Sequence, residues 1–295
     1  MFCYTSGTTG DPKAVMISHG NLLSAANGAL CVGGLQFYDT DVWISYLPLA
    51  HSLEKVLFCV ALMDNVSIGY YSGDPLKLLD DMKVLRPTLF PSVPRLFNRI
   101  YDKITQGIKE KNPIEQALFN RAVRRKLHYL QNNGTYHHSI WDPLIFNKIR
   151  DIIGGRVRLM LTGSAPISGD VINFLKVCFC APIHEGYGQT ESAAASCLSS
   201  SLDPEAGHVG GPLSCLMVRL KDLPEMGYMS TDKNPRGEIC FKGNSVFKGY
   251  FKNEEKTKEA LDEEGWLHSG DVGLVNPNGS IKIIDRAKNI FKLSQ

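Results

Sequence analysis

Along the first two thirds of the chain, short aliphatic and β-branched runs alternate with longer stretches whose apolar residues recur at helical spacing. Val42 to Leu47, Val66 to Tyr71, Thr88 to Val93, Val157 to Thr162 and Ile183 to Gly186 read as strands. Asn21 to Val32, Leu76 to Leu85, Pro94 to Ile108, Ile114 to Asn132 and Ser168 to Cys178 read as helices. Alternation of this kind predicts an α/β fold, a parallel sheet covered by helices, because each parallel pair needs a crossover that lands on a sheet face. From about Gly207 the pattern changes to close-spaced strands, Met217 to Leu220, Gly237 to Lys242, Trp266 to Leu274 and Ile281 to Asp285, with Asn276-Pro277-Asn278-Gly279 as a turn. The expected organisation is an α/β part over 1–206, a β-rich subdomain over 207–284 and a short final segment over 285–295.

At 295 residues the chain can bury roughly 75% of the surface its unfolded form exposes, so a large core is expected. Hydrophobic residues at 43% and charged residues at 21% place it among globular proteins and away from disordered ones. The net charge of +2 gives no overall reason to expect a nucleic-acid partner, so any anion site must be local. The eight cysteines contain no C-x-x-C pair and the eight histidines no H-E-x-x-H spacing, which predicts reduced thiols and a cytosol-facing compartment. No basic-then-apolar leader opens the chain. The apolar run Val56 to Met63 is too short to span a bilayer and reads as buried core, so any membrane association is expected to be peripheral or to come from sequence outside these residues. Arg121, Arg124, Arg125 and Lys126 read as a solvated helix face. Nothing in the pattern sets an oligomeric state.

The sharpest local signal is Thr5-Ser6-Gly7-Thr8-Thr9-Gly10-Asp11-Pro12-Lys13. Glycines let backbone N–H groups approach an anion, hydroxyls donate further hydrogen bonds, and Lys13 supplies a point charge, which together suit a polyphosphate. It is not a Walker loop, since Pro12 stands where the second glycine belongs and Ala14 follows the lysine. Ala14 to Ile17 reads as a strand, so the loop is expected to join two strands. A second signal, Tyr187-Gly188-Gln189-Thr190-Glu191, follows a strand end, where ligands bind in open parallel sheets. Its aromatic face, hydroxyl and carboxylate suit a base, a phosphate and Mg²⁺. Taken by itself, an ordinary polar turn fits this pentapeptide about as well.

The run Tyr4 to Lys13 resembles the phosphate loop of the adenylate-forming superfamily, which holds acyl-CoA synthetases, luciferases and peptide synthetase adenylation domains. It departs from that pattern at Ala14, where the family usually has glycine; if the position needs positive φ, alanine would strain it. The resemblance implies that Thr5, Ser6, Gly7, Thr8, Thr9, Gly10 and Lys13 hold the phosphates of ATP. It implies that Tyr187 lies near adenine with Gly186, Gly188 and Gln189 around it, that Thr190 meets the α-phosphate, and that Glu191 serves Mg²⁺. Gly163, Ser164, Ala165 and Pro166 resemble the adenine-side loop, and Ser269-Gly270-Asp271 after Trp266 resembles the motif whose aspartate accepts from ribose hydroxyls. Asp285-Arg286 is similar to the hinge motif, with Arg286 near ribose and phosphate. Leu47-Pro48-Leu49-Ala50-His51 is similar to the segment whose histidine lies beside the acyl site, although a lone histidine is usually structural.

Within the superfamily, Asp80-Asp81, Leu85-Arg86-Pro87-Thr88, Val93 to Arg99, Gly207-His208-Val209-Gly210 and Asp285 to Gln295 look like long-chain fatty acid:CoA ligases. That likeness implies a long-chain fatty acid, ATP and CoA as substrates, and a cytosolic location, on the face of the endoplasmic reticulum or another organelle. It also implies that both ends are truncated, so that these 295 residues alone give weak nucleotide binding and little turnover. Two other classes stay open: a nucleotide-binding or scaffold protein of reduced activity, and another adenylating enzyme, luciferase-like or of the peptide synthetase kind.

Overall fold

The structure is a computed structural model that describes residues 1–5 and 12–286, without the side chain of Asp285. The expected phosphate-loop residues Ser6, Gly7, Thr8, Thr9 and Gly10, and the hinge residues 287–295, lie outside the described residues.

The chain opens with an antiparallel hairpin, β1 (Phe2–Thr5) and β2 (Lys13–Met16), which sets Thr5 opposite Lys13. The loop therefore joins two strands, as its flanking residues predict. After α1 (His19–Leu30) come β3 (Val42–Ser45), α2 (Ser52–Met63), β4 (Ser67–Tyr70), α3 (Leu78–Leu85) and β5 (Leu89–Ser92). The helices α4 (Pro94–Lys109), α5 (Pro113–Asn133) and α6 (Asn147–Arg150) follow, then β6 (Leu159–Thr162), α7 (Gly169–Phe179) and β7 (Ile183–Tyr187). Two short strands, β8 (Cys197–Leu198) and β9 (Gly211–Pro212), complete a seven-stranded sheet of order β4-β3-β5-β6-β7-β8-β9. Its first five strands are parallel and the last two antiparallel.

Consecutive strand residues point to opposite faces, and here they enter different cores. Ile44, Phe90 and Met160 pack with Phe97, Phe119, Phe146 and Leu175. Trp43, Leu89 and Leu159 pack with Leu35, Ala61 and Val66. Both faces are thus covered, the condition under which parallel strands become uniformly apolar.

Local chemistry sets the helix ends. Asn112 caps α5 by accepting from the Glu115 amide at 2.9 Å, Pro113 follows at the first helical position, and Gly134 ends the helix at φ 65°. On α4, Phe97, Ile100 and Ile104 are buried at helical spacing. The apolar run at 56–63 is the body of α2, whose Val56, Val60 and Ala61 are buried. One expectation fails on α5: Arg121, Arg124 and Arg125 are exposed or nearly so, but Lys126 is fully buried. Its ammonium donates to Asp142 Oδ1 and the Val177 carbonyl, both at 2.6 Å, and sits 4.2 Å from the Phe146 ring centroid. Burial of a lysine requires this pairing, and only the tertiary fold supplies it.

The remaining strands, β10 (Leu216–Lys221), β11 (Arg236–Gly243), β12 (Leu267–Val275) and β13 (Ile281–Arg286), form a four-stranded antiparallel sheet in that order, with α8 (Glu254–Ala260) between β11 and β12. The N-terminal hairpin packs here. Met16 N donates to Gly249 O at 3.0 Å and Phe251 N to Ala14 O at 2.9 Å, while Cys3, Val15 and Ile17 share a core with Ile239, Phe241 and Leu267. Ala14 lies in β2 opposite Tyr4 and outside the set of positive-φ residues, so alanine is unstrained after the loop lysine. No described helix is long and apolar enough to cross a membrane.

Candidate active site

A cavity of about 820 Å³ opens where the tips of β6 and β7 meet the N-terminal hairpin, the start of α2, α8 and the β12 turn. The chain leaves β7 at Tyr187 and turns tightly at Gly188, where an added Cβ would stand 2.3 Å from the Ala194 carbonyl oxygen. Gln189 N donates to Ser192 Oγ at 3.0 Å and starts a short helical turn, Thr190–Ser192. Ala193 and Ala194 then adopt φ of 53° and 66°. Non-glycine residues in that region mark backbone held by its surroundings.

Asp271 is the centre of one half of the site. Its carboxylate, 6% exposed, accepts from the Tyr187 hydroxyl at 2.6 Å and from Gln189 Nε2 at 3.0 Å. Arg286 Nε lies 3.4 Å from its other oxygen. Burial, with the Asp271 charge adding to it, holds the Tyr187 hydroxyl well above the usual phenol range, so it stays a donor.

Glu191 is the centre of the other half. Its Oε1 accepts from the Tyr250 hydroxyl at 2.7 Å, and Lys13 Nζ stands 5.0 Å from the centroid of the same ring. Burial and then Glu191 push the Tyr250 hydroxyl up in the same way. Lys13, Thr5, Gln189, Thr190, Glu191, Asp271 and Arg286 all line the cavity, though they come from the hairpin, the β7 turn and the far sheet.

His51 also lines it, as the N-cap of α2 with Nδ1 accepting from Leu53 N at 3.3 Å. That bond leaves Nε2 as the nitrogen that carries the proton. Ser164 faces the cavity at φ 71°. Gly163, Gly186 and Tyr187 instead line an adjoining apolar pocket, which meets the cavity at Ser164, Gly188 and Ala194. Ala165 and Pro166 border neither. The pocket is walled by Phe37, Val56, Leu57, Val60 and Leu161 and encloses about 80 Å³.

Several cavity residues had no signal of their own in the sequence: Tyr250, Lys256 and Glu259 around α8, and Glu238 and His268 on β11 and β12. Lys256 Nζ pairs with Glu259 Oε1 at 2.6 Å. Only the β-rich sheet's closure over the β7 turn brings them to the site.

These strand tips and turns share one cavity, and a family profile for AMP-binding enzymes matches residues 1–251 of the chain. The chain belongs to the AMP-binding enzyme family. Among curated members, it is 50% identical to peroxisomal long chain acyl-CoA synthetase 7 of Arabidopsis thaliana over 99% of this chain and 42% of that one. It is 49% identical to long-chain-fatty-acid–CoA ligase 5 of Rattus norvegicus, over all of this chain and 43% of that one. The AMP-binding chain thus spans less than half the length of these relatives. Among solved structures, ATP-bound MatB from Rhodopseudomonas palustris superposes with a TM-score of 0.70 at 27% identity, covering 97% of this chain and 48% of that one. The A domain of carboxylic acid reductase from Segniliparus rugosus, in complex with AMP, shares the fold with a TM-score of 0.70 at 24% identity, over 98% of this chain and 41% of that one.

Proposed function

We propose that this chain is the nucleotide- and acyl-binding part of an AMP-forming long-chain fatty acid:CoA ligase. The observation that carries the reading is the convergence of Lys13, Thr190, Glu191, Asp271 and Arg286 on one cavity, beside an apolar pocket that opens into it.

In the proposed chemistry the fatty carboxylate attacks the α-phosphorus of ATP in line, and pyrophosphate leaves. The CoA thiolate then attacks the acyl carbonyl, and AMP leaves. Such transfer needs placement and charge neutralisation more than a protein nucleophile. Lys13 and Arg286 offer cations to the phosphates, Thr190 offers a hydroxyl to the α-phosphate, and Asp271, held by Tyr187 and Gln189, accepts from the ribose hydroxyls. Losing one such preorganised contact typically costs on the order of 3 kcal/mol. His51, with its Nε2 proton, stands at the carboxylate end of the acyl site.

Mg²⁺ commonly binds through one or two carboxylates plus substrate phosphates, and Glu191 fits that donor set because it lines the cavity with one oxygen steadied by Tyr250. Bound there with the triphosphate, the ion would neutralise phosphate charge. The acyl tail enters the apolar pocket past Ser164 and Gly188. At about 80 Å³ that pocket is well under the roughly 300 Å³ of an ordinary ligand site, so its walls must part to admit a long chain. All eight cysteines are free, which suits a reducing compartment facing the cytosol, with peripheral contact to an organelle membrane.

The test is calorimetric titration of this chain with AMP and with non-hydrolysable acyl-adenylate analogues carrying palmitoyl, acetyl, aromatic or aminoacyl groups. The palmitoyl analogue is expected to bind at least tenfold more tightly than AMP and than the other analogues. Equal affinity for all would overturn the acyl assignment; no binding of any would overturn the nucleotide assignment.

A further inference from the structure

Behind the turn that carries Asp271, neighbouring strands bring together a thiol, an imidazole and a carboxylate. Cys240 on β11 is the register partner of His268 on β12, and Glu238 precedes it by two residues on β11. His268 Nδ1 lies 3.0 Å from Glu238 Oε2 and 3.5 Å from Cys240 Sγ, and the three candidate ligand atoms all lie within 4.8 Å of one another. A tetrahedral zinc ion with bonds of about 2.0 Å to nitrogen and oxygen and about 2.3 Å to sulfur sets N···S near 3.5 Å and N···O near 3.3 Å. The existing triangle meets the first spacing and is within a few tenths of an ångström of the second.

The second ring nitrogen of His268 supports the same reading. Nε2 stands 3.5 Å from Asp262 Oδ2, and a metal-bound histidine almost always turns its other N–H toward a carboxylate or carbonyl, which fixes tautomer and ring orientation. Glu238 and His268 also line the large cavity, so two of the three ligands border it. In the other thiol-containing cluster, His137, Asp142 and Cys180, the Lys126 ammonium sits among the ligand atoms, 2.6 Å from Asp142 and 3.0 Å from Cys180. Beside Cys240 the neighbouring cation is Arg219, whose guanidinium is paired with Asp262 at 2.6 Å and Glu264 at 3.0 Å.

We propose that Glu238, Cys240 and His268 form a binding site for a thiophilic divalent cation of the zinc class, with Asp262 orienting the imidazole. Thiolate and imidazole select such an ion over Mg²⁺, which demands hard oxygen ligands, so this site is distinct from the one at Glu191. It adjoins the proposed nucleotide cavity, which Glu238 and His268 also line, and Glu238 Oε1 accepts from the amide of Gly270, next to Asp271, at 3.0 Å.

The probe is Co²⁺, added to the nucleotide-free chain and followed by absorption. One equivalent is expected to give the near-ultraviolet thiolate-to-cobalt band and the visible bands of a tetrahedral ion, both erased by one equivalent of Zn²⁺ and untouched by excess Mg²⁺. Cys240→Ser is expected to abolish the near-ultraviolet band, and Asp262→Asn to weaken cobalt binding about tenfold. Absence of a thiolate band in the parent chain overturns the site, as does a band that survives in Cys240→Ser, which would place the ligand on another cysteine. Should Cys240→Ser fail to fold, His268→Gln gives the decision: unchanged cobalt affinity in that variant overturns the proposal, and a loss of tenfold or more upholds it.

Discussion

The hydroxyl of Tyr187 donates to Oδ2 of Asp271 at 2.6 Å, across a sequence separation of 84 residues, and so ties the tip of a parallel strand to the antiparallel sheet facing it. A carboxylate held this way is fixed in place, and in the proposed function it meets the ribose hydroxyls with little reorganisation left to do. Tyr187→Phe removes one hydrogen bond to a charged group, worth about 1.5–3 kcal/mol, while Gln189 Nε2 remains in place at 3.0 Å. AMP affinity is expected to fall about tenfold in Tyr187→Phe and further in Asp271→Ala, measured by calorimetry. Unchanged affinity in both would remove Asp271 from the nucleotide site.

Tyr250 serves two partners at once, Glu191 through its hydroxyl and Lys13 through its ring. Tyr250→Phe keeps the ring and frees the carboxylate. Because hydrogen-bonded carboxylates lose roughly 10–100-fold in metal affinity when their support is removed, ATP affinity in Mg²⁺ is expected to drop about tenfold. AMP affinity without Mg²⁺ is expected to stay within about twofold. Titrations with and without the ion separate the two, and an equal fall in both would show that the Tyr250 hydroxyl does not act through a metal held by Glu191.

Two glycines should respond to alanine in opposite directions. At Gly188 the new Cβ would stand 2.3 Å from the backbone oxygen of Ala194, and backbone cannot swing aside as a side chain can. Gly188→Ala is expected to cost more than about 2 kcal/mol of stability, or to displace the Thr190 turn and abolish nucleotide binding. A Cβ added at Gly107 on α4 would meet nothing within 4 Å beyond its own helix. There alanine is expected to stabilise by about 0.5–1 kcal/mol through helix propensity, read by denaturant unfolding.

Glu54 predicts a pH dependence. The side chain lies in the first turn of α2, 1% exposed, with Ser45 Oγ donating to Oε1 at 2.5 Å and Oε2 unpaired among the described residues. Burial raises its pKa from 4.5 to about 7, against the opposing Ser45 bond. Between those two values the folded chain keeps a proton that the unfolded chain releases, so stability declines as pH rises from 4.5 to about 7. Glu54→Gln is expected to reduce that slope and to exceed the parent by on the order of 1 kcal/mol at alkaline pH. Glu185, also pushed up to about 7 by burial, keeps part of the slope. An unchanged stability profile from acid to neutral pH would contradict the assignment.

Much of the architecture was legible because parallel strands buried on both faces must be apolar along their length, and Val157 to Thr162 or Thr88 to Val93 could hardly read otherwise. Elements whose identity depends on a distant partner were not. The helix α8 is short, charged and without a buried residue, so it has no apolar stripe to reveal it. The strands β8 and β9 are two residues each and exist only by pairing with one another and with β7. Lys126 looked like one more cation on an exposed face, and nothing local announces the Asp142 carboxylate and Val177 carbonyl that let it go inside.

The sequence by itself determined the alternation of elements, the hairpin around the phosphate-type loop, and which residue types stand at each strand tip, because these follow from periodicity, turn chemistry and motif spacing along one stretch of chain. Only the tertiary structure decided that Lys13, Glu191 and Asp271 face a common cavity, that Tyr250 bridges two of its charged groups, and that Cys240 meets His268. Those are contacts between residues tens to hundreds of positions apart, made by closing one sheet over another, and no local preference encodes the distance between two side chains on different sheets.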